Sequence, residues 1–550
     1  MNKIFAVCMA MTLFGSVLLG DEDPPHGQVP LFQGLGKHQR LIHTHHADAQ
    51  KYFDQGLAFL FAFNQDEAIR SFKQAVKLDP DCAMAYWGIA YANGPHYNRA
   101  VVPPEREKAA LEALQQALAR KAACSEANLG LILAVSKRHA DPAPPDRKAL
   151  NEEYAKAMSE LWKQHPEDAD IGALFAESLM NLQPWDLWTE DQQPKGQTSL
   201  IVHTLEKVMQ LNPDHPLALH LYIHALEASA EPGKADAAAH RLRQLQPGLG
   251  HMVHMPSHID IRRGRWQEAI LANERAIRAD ADYRRQVPQQ QFYRIYMLHN
   301  HHMLTFAAMM QGESKRSLNA IQAMIGSIPK EWLNVPENAA MIDAYIASPL
   351  EVMVRFGMWD KILEQPDFPE QFPISRALRH HARGVALAAQ GQTEAARKEQ
   401  IAFRELTKLV KSDAPFGNNT GPVVLALADD MLDGEILLRE GKKSEGFQAL
   451  RRAIAKEDQL RYDEPPDWIV PVRHALGAFL LADGQAEEAE KVYREDLKRW
   501  PDNGWSLFGL AEALERQNKA EEAEKINARF KQIWQHADVK IASSCFCVTK

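Results

Sequence analysis

Histidine stands out in both number and spacing, at 23 of 550 residues. His220 and His224 are four apart, His251, His254 and His258 fall at i, i+3 and i+7, and His299 and His302 are three apart. On a helix each of these sets shares one face. Neutral imidazole is the commonest protein metal ligand, so such faces are candidate sites for zinc, copper or iron. Geometry limits the combinations. His251 and His258 lie about 10.5 Å apart along a helix axis, so one ion cannot use both. An ion would take His254 with one of those neighbours, add His220 or His224 from the segment before, and add His299 or His302 from the segment after. Glu227, close to His224, would supply a carboxylate ligand or a base. Met252 and Met255 nearby tilt the choice of ion slightly toward copper.

The elements that position these residues come from the composition and period of the whole chain. A chain that is 45% hydrophobic and 25% charged buries a large core and is not disordered. The net charge of -9 lacks the footprint of a nucleic-acid binder. No HExxH helix, G-x-S-x-G elbow, Walker A loop, dinucleotide fingerprint or C-x-x-C-H haem site occurs, so an enzymatic activity is not legible.

From Ala49 the chain repeats with a period of 34. Gly56, Phe59, Ala68, Phe72, Ala75 and Pro80 stand at positions 8, 11, 20, 24, 27 and 32 of the first unit. Gly264 with Ala269, Gly312 with Ser317, Gly391 with Ala396, Gly441 with Gly446 and Gly484 with Ala489 return the same register. This pattern resembles the tetratricopeptide repeat, in which small residues let two antiparallel helices approach and a proline ends the second. The resemblance implies an all-α solenoid, a right-handed superhelix of about a dozen helix pairs. The strings YFDQGLAFLFAFNQDEAIRSF, PDCAMAYWGIAYANGP, NLQPWDLW, GHMVHMPSHIDIRRGRWQEAI and WSLFGLAEAL are also similar to a group of exported bacterial tetratricopeptide proteins of unestablished activity.

In that family positions 2, 5 and 9 of the first helix line a concave groove that holds peptides. Here they carry His220, His224, His251, His254, His258, His299, His302, His381 and His474, nine of 27 positions where random placement gives about one. The groove set, with Glu227 added, supports two readings. In the first, the chain is an exported scaffold that holds a peptide or protein ligand in a histidine-lined groove. The alternative is a transition-metal-binding protein or metal-dependent enzyme using the same groove histidines. Two insertions, Gly94 to Pro104 and Gln183 to Pro194, break the period. Their aromatic residues, Trp185 and Trp188, either plug an irregular joint or form a functional rim. His43, His45 and His46 read as a solvated surface.

Residues 1–20 have the order of a secretory signal, which predicts a periplasmic or secreted protein, anchored if the signal is retained, with no membrane span after its removal. The expected divisions are a lead-in at 21–48, a first array at 49–331, an irregular helical linker at 332–376, a second array at 377–537 and a tail at 538–550. Cys82, Cys124, Cys545 and Cys547 are too few to staple the chain. Cys545-x-Cys547 reads as a local disulfide, a soft metal site or, most simply, two thiols on a frayed end.

Overall fold

The computed structural model describes residues 29–548, so the expected signal at 1–20 and part of the lead-in lie outside the described residues. The described chain is built from helices, with one small hairpin of Pro415–Phe416 and Asn419–Thr420. It forms two compact units, one of residues 29–259 with Ala272–Asn300 and the other of Asp260–Leu271 with residues 301–548. Among the described residues no helix is long and apolar enough to cross a membrane.

Helices joined by turns of a few residues double back on each other and form pairs. In the first unit Ala47–Phe61 pairs with Gln65–Leu78. In the second the pairs are Pro373–Ala389 with Thr393–Thr407, Gly421–Arg439 with Lys443–Asp458, Val472–Ala482 with Ala486–Arg499, and Gly504–Arg516 with Ala520–Ile533. The small residues work as close-approach points. A Cβ on Gly56 or on Gly88 would collide with the ring of Phe72, which lies fully buried between the two backbones. Tyr493 fills the same place between Gly477 and Gly509. Each ring therefore locks its own repeat to the next one, and burying an aromatic side chain of this kind is worth roughly 2 to 3 kcal/mol.

Within residues 332–376 the helices Pro336–Ile346, Ser348–Arg355 and Trp359–Leu363 belong to the second unit, and the Asp343 carboxylate accepts from the Ile374 and Ser375 amides at 2.8 Å, capping the helix that follows. Of the readings of Cys545-x-Cys547, the local disulfide is the one observed, and the segment around it is not frayed. Cys545 and Cys547 form a disulfide, Arg355 Nη2 donates to the Ser544 carbonyl at 2.7 Å, and the Ser544 hydroxyl donates to the His474 carbonyl at 2.8 Å. Arg439 also donates to the Cys547 carbonyl. The segment docks because its backbone carbonyls meet cationic donors that burial leaves few other ways to satisfy.

The lead-in is extended and strapped to the first repeat. Tyr52 donates to the Val29 carbonyl at 2.7 Å, Gln55 donates to the Pro30 carbonyl at 3.0 Å, and the Phe32 amide donates back to Gln55 at 2.9 Å.

Two outcomes test this packing. Gly56→Ala should lower the stability by about 1 to 3 kcal/mol, because Phe72 has no room to retreat. Gly326→Ala, at a helix end with no neighbour within 4 Å, should be neutral or slightly stabilising, and equal effects in urea unfolding would displace the register. The second concerns Glu435, which is buried on Gly421–Arg439 with Oε1 unpartnered. Burial pushes its carboxyl up to about 8, against the pull of Arg439. The folded state then holds a proton that the unfolded chain releases above pH of about 4.5, so stability present at low pH is lost as pH rises toward 8. Glu435→Gln should remove a loss on the order of a few kcal/mol, read as a smaller fall in urea midpoint from pH 5 to 8 than in the unaltered protein.

Candidate metal centre

The first unit brings six of the sequence-predicted histidines together. His220 and His224 share one face of the helix Pro216–Leu226, and Glu227 is its C-cap. The string carrying His251, His254 and His258 is not one helix. Pro256 has no amide to donate, so Gly250–His254 ends and Pro256–Arg262 begins anew, with the His258 amide donating to the Met255 carbonyl at 3.2 Å. The start of Gly250–His254 is pinned from below. A Cβ on Gly250 would collide with Asp280, whose carboxylate accepts from Asn300 at 2.7 Å and faces Tyr293 Oη, which in turn accepts from the His251 amide at 3.2 Å. Burial lifts Asp280 to about 7. His299 comes from Arg294–Met310 and is half-buried.

Two triads result. The candidate ligand atoms of His220, His224 and His251 lie within 4.8 Å of one another, and so do those of His254, His258 and His299. The acceptors around them fix which nitrogen carries hydrogen. His220 Nδ1 donates to the Phe61 carbonyl at 2.8 Å, and His224 Nδ1 donates to Glu227 Oε1 at 3.0 Å. His258 Nδ1 lies 2.6 Å from Glu227 Oε2, and His254 Nδ1 lies 2.7 Å from Asn273 Oδ1. His220, His224 and His254 therefore carry their lone pairs on Nε2, the arrangement in which an acceptor orients a metal-ligating histidine. His251 Nε2 stands 3.2 Å from His220 Nε2, and His254 Nε2 stands 2.8 Å from His258 Nε2. These separations are close to the roughly 3.3 Å between ligand nitrogens on a tetrahedral ion with bonds of about 2.0 Å. His224 Nε2 is buried without a partner.

Electrostatics match the geometry. Burial, reinforced by neighbouring histidines, pulls His220, His251 and His254 well below the ordinary histidine range. Burial alone would raise Glu227, but His258 and His224 hold its carboxyl below its usual value. The centre is a buried carboxylate among closely packed imidazoles, which suits a cation.

The histidines do not line an open groove. His220, His224, His251, His254 and His258 are at most 2% exposed, because rings from outside the periodic pattern cover them. The Phe63 ring centre lies 4.4 Å from that of His220, 6.2 Å from His224 and 5.7 Å from His251. Tyr97 and Trp185, from the two insertions, lie 5.3 and 5.5 Å from His224. Trp185 Nε1 donates to Asn98 at 3.2 Å, tying one insertion to the other, and Trp188 Nε1 donates to the Ala225 carbonyl at 2.8 Å. His96, also buried, adds its ring 4.7 Å from Phe63.

Sequence reasoning passed over Phe63, although a signal was present. Gly264, Gly312, Gly391, Gly441 and Gly484 close the first helices of other repeats with positive φ, as does Asn518. Phe63 occupies the same place in the first repeat with φ 57°, and Trp185 is likewise left-handed at φ 57°. A bulky residue there costs roughly 1 to 2 kcal/mol. Both of these strained residues set their rings on the histidines.

The remaining candidates lie elsewhere. His302, His381 and His474 belong to the second unit. His302 packs on Tyr345 and His381 on Trp468, and burial lowers each to about 4. His474 has both nitrogens engaged, Nε2 donating to Asp496 at 2.9 Å and Nδ1 accepting from Arg355 at 3.0 Å, so it has no lone pair for a ligand. Met252 and Met255 are buried in the hydrophobic core, which removes the tilt toward copper. A third cluster, His38, Asp170 and His215, is excluded by its tautomer. His215 Nδ1 accepts from the Ala218 amide at 3.2 Å, so Nε2 carries the hydrogen and donates it to Asp170 at 3.0 Å. With Arg40 paired to Asp168 and Asp170, that cluster latches the lead-in to the array. His43, His45 and His46 are exposed.

A tetratricopeptide repeat family model matches residues 480–531. No curated protein matches the chain. Among solved structures, a human IFIT1 dimer with m7Gppp-AAAA is similar over 90% of this chain and 91% of that one, at 14% identity and a TM-score of 0.32. The APC/C hetero-tetramer Cut9–Hcn1 is similar over 88% and 76%, at 11% identity and 0.31. Scores this low carry nothing about ligands, and the fold rests on the matched repeat and on the helix pairs themselves. Repeats of this kind build scaffolds for protein–protein interaction.

Phe63→Gly and Phe63→Ala both remove the covering ring, but only glycine relaxes the backbone. The glycine variant should be the more stable by about 1 kcal/mol, reversing the usual order. In both, diethyl pyrocarbonate should label His220 and His224 faster than in the unaltered protein, while labelling of exposed His43 and His45 stays constant. Unchanged labelling, mapped by peptide mass spectrometry, would remove Phe63 as the cover.

Proposed function

We propose that this tetratricopeptide-repeat protein is an interaction scaffold whose first unit holds a transition metal through buried histidines. One observation carries the reading. His254 Nε2 and His258 Nε2 face each other at 2.8 Å while His254 Nδ1 is committed to Asn273 and His258 Nδ1 lies 2.6 Å from the Glu227 carboxylate. Ring nitrogens turned to one another at that distance share a proton or a metal ion. A proton bridges only two nitrogens, whereas here the third imidazole of His299 converges as well, which favours a metal ion. An all-imidazole set suits zinc, copper or iron.

Enclosure weighs against a peptide as the ligand of these histidines, since a peptide needs an accessible wall. Protein partners are assigned to the outer surfaces of the repeats, which is the general use of the fold. Export remains part of the proposal on the strength of residues 1–20, and N-terminal sequencing of native protein should begin near Asp21.

Tag-free protein should contain a transition metal by elemental analysis. In titration calorimetry with zinc and copper, His254→Ala should weaken binding at least about tenfold with helicity intact, as loss of a ligand does. His474→Ala should leave it unchanged, since both of its nitrogens serve the protein. Binding no tighter than about 0.1 mM, some 5 to 6 kcal/mol, would end the metal reading.

A further inference from the structure

We infer that the centre holds two ions, one on each triad, and that a single small anion bridges them. The inference rests on the metal reading above and adds the number of ions and the class of ligand they share. Six imidazoles exceed what one tetrahedral ion can use, and they sort by distance into two complete sets of three. The sets are contiguous. The rings of His224 and His258 are 5.6 Å apart and those of His251 and His254 are 5.8 Å apart, each pair taking one member from either triad.

Glu227 ties the sets together. One of its oxygens accepts from His224 Nδ1 and the other lies 2.6 Å from His258 Nδ1, so a single carboxylate adjoins one ligand of each ion. Both rings are thereby turned with Nε2 away from the same carboxylate, toward the two metal positions. Paired sites in which two ions act on one ligand are spaced by about 3.5 to 4 Å, a scale that rings this close together can deliver.

The chemistry of the ligand follows from counting donors and charge. Three protein nitrogens per ion leave a coordination position open on each, as in sites that bind exogenous molecules rather than purely structural ones. Imidazole ligands bring no negative charge to offset two divalent ions in a buried place, which favours an anion at the open positions. The aromatic cover of Phe63, Tyr97 and Trp185 restricts that anion to a small one of a few atoms, such as hydroxide or azide.

The test uses the full-length, tag-free protein, stripped with a chelator and reloaded with copper(II). Two coppers per chain should bind, with an electron paramagnetic resonance intensity well below that of two independent ions. Azide should saturate an absorption band at one azide per two coppers. His220→Ala and His299→Ala should each retain one copper and regain the full signal of an isolated ion. His299 is half-buried, so its variant stays informative if the other fails to fold. One copper per chain, two magnetically independent coppers, or azide saturating at one per copper would overturn the inference and leave the metal reading standing. No binding of any ion would overturn both.

Discussion

A buried carboxylate holding two imidazoles is the constraint around which the first unit is arranged. Glu227 is 1% exposed, and an ionised carboxylate in such a place is tolerable only with donors on its oxygens. His224 Nδ1 donates to one of them and His258 Nδ1 lies 2.6 Å from the other. The two rings are thereby anchored on one carboxylate, with their remaining nitrogens in a common space. The spacing of His254 and His258 serves the same end: at i and i+4 they fall on one helical face, and their Nε2 atoms meet at 2.8 Å.

The repeat supplies what that arrangement needs from the rest of the chain. Rings such as Phe72, wedged between two glycine backbones, set the spacing of successive helices without any polar contact. The histidine-bearing helices inherit this spacing and can be polar on the face they turn to one another. On Pro216–Leu226 stability comes from the opposite, apolar face, which is where Leu219, Tyr222 and Leu226 are buried. The cover is a separate device, built from one left-handed phenylalanine and two insertions, none of which the solenoid requires.

The sequence conveys the fold because a 34-residue period is written many times over, and Gly56, Ala68, Phe72 and Pro80 recur in kind along the chain. It also conveys which histidines share faces, since helix geometry turns spacing directly into direction. Whether those faces meet solvent was not legible. The family register makes them groove positions, and of the rings that close over them Tyr97 and Trp185 come from segments without a period while Phe63 replaces a turn glycine of the repeat. Backbone acceptors such as the Phe61 carbonyl have no sequence signature at all. Asp343 capping the helix at Pro373, and the docking of Ser544, depend on contacts between residues far apart in the chain, which a local pattern cannot reveal.

The docked C-terminal segment bears on how the second unit is finished. Repeat arrays ordinarily end in a helix with a polar outer face that shields the last hydrophobic seam. Here part of that work falls to a short, non-helical run in which Cys547 is 2% exposed and Phe546 leans on Trp505. The loop is closed by a bond that forms only where thiols are oxidised. The segment at 544–547 is therefore held in two ways, by donors from the helices to its carbonyls and by a covalent closure within the segment itself.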